Sequence, residues 1–271
     1  MPEVFGSDAY SPKEIAARIE TVGVNKARMA LLPMAMLGIL AGAFIGLGAL
    51  FFVLVRSDTS LSFAVSQTLS GGVFCLGLLL VVVAGAELFT GNNLIAMAWA
   101  DGQVSTGELL RNWFWVCLAN FVGAFGLALL VALSGHVQLN GGQVGQTVFR
   151  IALAKQNLSI EHAFVRGVLC NVLVCLAVWM AMAGRTVVDK AVAIVFPITA
   201  FVAAGFEHSI ANMYFFSLAL ILQVLDPATW GQSVTVGGMI GNLVPVILGN
   251  LVGGSVLVGL VYFVIYRQPA K

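Results

Sequence analysis

Charge is what this sequence has least of. Only 9% of its 271 residues are Asp, Glu, Lys or Arg, while 60% are hydrophobic. A soluble domain carries about 25% charged residues. A soluble chain of this size would bury a large core but still need a charged coat, and this one cannot supply it. The bilayer is the natural solvent for such a composition. The formal net charge is +1 and no basic run exists, so nucleic acid is not an expected partner. No C-x-x-C pair occurs among Cys75, Cys117, Cys170 and Cys175. All four fall in apolar stretches and read as small buried hydrophobes, not as a disulfide framework or a zinc site. No cofactor is expected. A cleavable signal is missing too. The first long apolar run starts near Met29, after a polar stretch too long and too mixed in charge for an n-region, so the first span is expected to stay in the mature protein.

What the sequence does have is length of apolar run. Six segments each reach the ~20 residues that span a bilayer: Met29–Val55, Gly71–Ala100, Asn112–Leu133, Ala163–Ala183, Ala191–Leu222 and Gly238–Tyr266. The second and fifth exceed one span and are interrupted by polar residues near their middles. Ahead of them, Ser11 to Arg28 reads as an amphipathic helix. Ser11 caps it, Pro12 takes the first helical position and Glu14 completes a capping box. Ile15, Ile19 and Val22 share a face, which predicts a helix on the membrane surface or against a neighbouring subunit; a plain polar leader is the alternative. The chain thus divides into a leader over 1–28, a six-helix membrane domain over 29–267 and a tail over 268–271. With six spans both termini lie on one side. That side holds Lys13, Arg18, Lys26, Arg28, Arg111, Arg185, Lys190, Arg267 and Lys271, against Arg56, Arg150, Lys155 and Arg166 on the other. The imbalance predicts cytoplasmic termini.

The two halves echo each other. Ala84-Gly85-Ala86-Glu87 in the second span is followed by Asn92; Ala204-Gly205-Phe206-Glu207 in the fifth is followed by Asn212 at the same offset. Asn112, Asn120, Val122 and Gly123 in the third span match Asn242, Asn250, Val252 and Gly253 in the sixth. The repeats cover about 29–133 and 163–266. Three spans per repeat make the second copy inverted, and paired broken helices in inverted repeats place a permeation site near the midplane.

The breaks run from Gly85 to Asn93 and from Gly205 to Asn212. Glycine permits backbone that a helix forbids, and unwound backbone survives at this depth only in protein or beside a wet cavity. The half-helix ends can then offer donors to an anion. Glu87 and Glu207 read as acceptors for the freed N–H groups, with Gly85, Gly91 and Gly205 shaping the breaks. His208 is the one histidine inside a span and can hold or lend a proton near neutral pH. Thr90, Ser209, Asn171 and Asn212 offer neutral hydrogen bonds to an oxyanion. Phe74, Leu78, Leu88, Phe89 and Phe201 are candidate constrictions. Gly38, Gly42 and Gly46, like Gly249 and Gly253, are spaced for close helix contacts. A membrane hydrolase would need a nucleophile–base pair or clustered metal ligands, and a mere anchor would not need two matched breaks.

Glu87-Leu-Phe-Thr-Gly, Cys170-Asn-Val-Leu-Val-Cys-Leu-Ala-Val-Trp-Met-Ala and Gly205-Phe-Glu-His-Ser-Ile-Ala-Asn-Met resemble the formate/nitrite transporter family over nearly the whole chain. The resemblance implies an all-α membrane fold with an aquaporin-like protomer, a homopentamer in the bilayer, and one pore per protomer. It implies a central His208 facing Thr90, a conserved Asn171, Lys155 at the outer vestibule, and apolar constrictions at Phe74, Leu78, Leu88, Phe89 and Phe201. Gly184-Arg185-Thr186 with Asp189-Lys190 looks most like the formate branch, which favours formate over nitrite or hydrosulfide. The resemblance also places the protein in the bacterial or archaeal cytoplasmic (inner) membrane.

Overall fold

The computed structural model describes residues 9–230 and 233–267, and among them every regular element is helical. The tail over 268–271 lies outside the described residues. Helix α1 (Pro12–Ala27) starts as its sequence predicts. Glu14 Oε2 accepts from the Ser11 N–H at 2.7 Å, and Ser11 Oγ accepts from the Glu14 N–H. These bonds hold the Glu14 carboxyl below its usual range. The apolar stripe of the helix, Ile15 and Ile19, is buried against Leu94, Met97, Trp179 and Val258 of its own protomer. Those residues leave an apolar floor that only an amphipathic helix covers. Arg267 at the other end of the chain pairs with Glu20 of α1 at 2.6 Å, so both ends share one face.

Six crossings follow. The first is α2 (Leu31–Arg56). The second is α3 (Phe63–Leu79), a π-helical stretch Leu80–Gly85, then α4 (Phe89–Asn92) and α5 (Ala96–Ala100) joined by a 3₁₀ turn. It begins at Phe63, earlier than its apolar run, because its polar start is satisfied: Arg56 donates to Ser66 and Gln67. The third is α6 (Thr106–Leu133). Then α7 (Gln143–Gln156) lies in the long connection, burying Val144, Val148 and Ala152. The fourth crossing is α8 (Ile160–Ala183). The fifth is split into α9 (Val187–Ala203) and α10 (Ser209–Leu225), each 17 residues, too short to span alone. The sixth is α11 (Val236–Leu251), a π-helical stretch Val252–Leu260, and α12 (Val261–Tyr266).

The packing repeats as the sequence does. Helix α2 lies on α6 so closely that a Cβ on Gly42 would sit 2.0 Å from the Asn120 carbonyl oxygen, and one on Gly123 would sit 1.9 Å from that of Ile39. Its counterpart is α8 on α11, where Gly249 and Gly253 would each place a Cβ 2.2 Å from the carbonyl oxygens of Phe164 and Val168. Lipid tails give apolar helices no hydrophobic reason to associate, so these backbone-to-backbone seams supply the contact. Helices α3 and α9 pack together at the centre, between the two seams. Substituting Gly123→Ala is expected to destabilise the protein by about 2 kcal/mol through overpacking. Gly126→Ala, where a Cβ meets open space, is the control. Thermal unfolding in detergent, followed by tryptophan fluorescence, distinguishes them; equal midpoints would refute the seam.

Candidate permeation site

Both breaks are built the same way. The helix before each ends on a glycine in the left-handed region, Gly85 at φ +89° and Gly205 at φ +70°. The next N–H folds back to the carbonyl five residues earlier, Ala86 to Val81 and Phe206 to Phe201, at 3.0 Å each. This is the six-to-one bond of a Schellman terminus. The chain then reaches sideways to the neighbouring span: the Glu87 N–H donates to the Leu37 carbonyl, and the Glu207 N–H to that of Arg166, each at 3.2 Å.

Two asparagines satisfy most of what remains. Asn120 accepts from the Phe89 N–H at 2.9 Å and donates to the carbonyls of Gly38 and Glu87 at 2.8 and 2.9 Å. Asn250 accepts from the Ser209 N–H at 3.0 Å and donates to the carbonyls of Gly167 and Glu207 at 2.8 and 3.0 Å. The carboxylates of Glu87 and Glu207 therefore do not take up the freed N–H groups, contrary to expectation. A carboxylate only accepts, whereas an amide can satisfy N–H and C=O groups together across a break.

The carboxylates instead bind side chains. Glu87 pairs with Lys26 at 2.7 Å and accepts from Asn92 at 2.7 Å; Asn92 also donates to Asn112, which donates to the Lys26 carbonyl. Glu207 pairs with Lys155 at 2.8 Å and accepts from Asn212 at 2.6 Å; Asn212 donates to Asn242, which donates to the Lys155 carbonyl. The two networks correspond residue for residue. The equivalence thus extends to α1 and α7, the helices that carry the two lysines.

Each network borders a cavity. One, of about 260 Å³, is lined by Lys155, Glu207, Asn212, Gly205, His208, Phe74 and Phe201. The other, of about 330 Å³, is lined by Lys26, Glu87, Asn92, Gly85, Gly91, Leu78 and Leu88. Thr90, Phe89, Asn171 and Ser209 are buried and line neither. Phe74 and Phe201 meet edge to face at 5.8 Å, and Phe201 stacks on the His208 ring at 5.9 Å.

His208 sits at the start of α10. Its Nδ1 accepts from the Ala211 N–H at 3.2 Å. In the neutral ring the proton is then on Nε2, which faces Thr90 Oγ1 at 3.1 Å. The Thr90 carbonyl is held by Asn171 Nδ2 at 3.2 Å and Cys175 Sγ at 3.3 Å. Asn171 Nδ2 also reaches Asn93 Oδ1 and the Asn250 carbonyl at 2.7 Å each, tying α8 to both halves. Asn171 Oδ1, Ser209 Oγ and Asn212 Oδ1 are buried without a hydrogen-bond partner among the described residues.

A family model described as "Formate/nitrite transporter" matches residues 13–264. The chain belongs to this family. That is a family of transporters, not of enzymes, and the match runs from the first turn of α1 to within the last turn of the sixth crossing. "Formate channel FocA" of Escherichia coli (strain K12) is 40% identical over 273 residues, covering 96% of each chain. Among solved structures, "Pentameric formate channel with formate bound" superposes with a TM-score of 0.82 at 36% identity, covering 88% of this chain and 98% of that one. "FNT family ion channel" gives 0.84 at 31% identity, covering 94% and 99%.

Reading the sequence residue by residue missed Lys26, Asn93 and the roles of Asn112, Asn120, Asn242 and Asn250. The signal was present for the last four, in their matched spacing; Lys26 lay in a segment read only for amphipathicity. Replacing Asn250 by Leu strands the Ser209 N–H and the Gly167 and Glu207 carbonyls. At about 1–3 kcal/mol for each buried unsatisfied group, the variant is expected to lose its folded state in detergent. Size-exclusion chromatography of Asn250→Leu reads this directly, and a wild-type profile with wild-type thermal stability would refute the clamp.

Proposed function

We propose that the protein is a transmembrane channel for small monovalent anions of weak acids, with formate as its substrate. The carrying observation is the pair of lysine-bearing cavities, one lined by His208 with Phe74 and Phe201 and the other by Leu88 and Gly91 on either side of Thr90, with the buried Thr90–His208 contact between these lining residues. The similarity to formate channels supports the substrate. The pentameric relative supports a homopentamer, each protomer having its own path. Among the described residues, eight of the twelve Lys and Arg residues fall on the face shared by α1 and the end of the sixth crossing; this supports a cytoplasmic position for that face in a bacterial or archaeal inner membrane.

A bare charge at mid-bilayer costs about 3 to well over 10 kcal/mol, and protonation removes most of it. In this reading Lys155 and Lys26 draw the anion into either vestibule. The anion accepts hydrogen bonds near Thr90 and His208, gains a proton, and crosses the apolar rings as the neutral acid. The geometry restricts how His208 takes part. Its Nε2–H can donate a hydrogen bond, but losing that proton from the neutral ring would leave an imidazolate. Net proton donation therefore requires protonation at Nδ1, which displaces the Ala211 N–H. Water is the simpler source of the transferred proton, with His208 orienting the substrate until its cap opens.

Stopped-flow uptake into proteoliposomes, comparing formate, nitrite and hydrosulfide over a pH series, tests the proposal. Formate flux is expected to lead and to rise as pH falls. Faster nitrite or hydrosulfide flux would change the substrate, and absence of flux would refute the channel. With water as the proton source, His208→Asn and His208→Phe are expected to lower formate flux while keeping its rise with falling pH; a lost or shifted pH dependence would show instead that His208 itself exchanges the proton.

A further inference from the structure

The two vestibules are matched in their lysine–glutamate pairs but not in charge. Among the described residues, Lys26 and Glu87 are the only charged ones lining the first, and they cancel. The second is lined by Arg56, Lys155 and Arg166 against Glu207, three cations to one carboxylate, a net of +2. Lys155 is already paired with Glu207. Arg56 and Arg166 have no carboxylate partner among the described residues. Arg56 is held by neutral groups: Nη1 donates to Gln67 Oε1 at 2.5 Å and to Ser66 Oγ at 3.2 Å. Gln67 in turn donates to the Ala203 carbonyl at 2.9 Å, at the end of α9 beside the second break. The guanidinium is thus anchored to the rim of the path, with its other donors unassigned. The Arg166 guanidinium makes no hydrogen bond among the described residues, while its carbonyl holds Glu207. On a face with only four Lys and Arg residues, three line one cavity.

We propose that Arg56 and Arg166 form an anion-capture subsite at the Lys155 mouth, selective for two-oxygen anions such as small carboxylates. The inference rests on the reading of the pathway as an anion channel. A cavity of one sign of charge with low-dielectric walls raises the local concentration of counter-ions and their arrival rate, and salt weakens the effect. A guanidinium adds geometry to charge. Its planar fork can bind both oxygens of a carboxylate, a match that a single-atom anion such as hydrosulfide cannot make. The subsite therefore favours carboxylates on arrival, upstream of the Thr90–His208 contact.

The test measures initial uptake into proteoliposomes against formate and hydrosulfide concentration, at low and high ionic strength, for wild type, Arg56→Gln, Arg166→Gln and Arg56→Lys. Each charge-removing variant is expected to raise the half-saturating formate concentration roughly threefold at low salt and to flatten the salt dependence. Arg56→Lys keeps the salt dependence but still raises the half-saturating formate concentration, while that for hydrosulfide stays at the wild-type value. Arg166→Gln breaks no recorded side-chain contact, so it carries the test if Arg56→Gln fails to assemble. Wild-type half-saturation and salt dependence in Arg166→Gln would overturn the subsite. No anion flux in the wild type would instead overturn the channel reading on which it rests.

Discussion

In hydrocarbon an unpaired peptide group has no water to turn to, and that constraint governs this structure. Two crossings give up their helical hydrogen bonds at mid-depth, and every consequence follows from how the freed groups are satisfied. Asn120 and Asn250 each bind one N–H and two carbonyls. To do so they must sit on a neighbouring helix at very short range. The glycine seams between α2 and α6 and between α8 and α11 provide that range. The seams, the clamps and the breaks are one device, used twice.

The pathway itself departs from the repeat. Glu87 aligns with Glu207 and Asn92 with Asn212, so Leu88 corresponds to His208, and Thr90 to Ile210. The scaffold is symmetric, but the polar contact at its centre is made from one unmatched residue of each half. Thr90 and His208 then meet between the two repeats. The same division appears at the mouths: the lysine–glutamate pairs are shared by both halves, while Arg56 and Arg166 belong to one side only.

Much of this was legible in the sequence. Sparse charge and six apolar runs give the solvent and the crossings; Gly85, Gly205 and the paired Glu and Asn residues give the breaks and the inversion. What stayed hidden was the pairing across distance. Lys26 meets Glu87 and Lys155 meets Glu207 through tertiary contacts that no local period encodes. Glu87 and Glu207 were natural candidates for the freed N–H groups because intramembrane carboxylates are rare. The amides win because a break exposes carbonyls as well as N–H groups. The start of the second crossing was hidden for a related reason: Ser66 and Gln67 look like loop residues until Arg56 is placed beside them.

The position of the clamps along the chain also orders its birth. Asn120 follows the first break by one crossing, so that break can be completed while the rest of the protein is still being made. Asn250 comes in the final crossing. Until it emerges, the Ser209 N–H and the Glu207 carbonyl lack their partner, and the half-helices α9 and α10 are each too short to reside in a bilayer alone. The second break can therefore be completed only once the sixth crossing delivers Asn250.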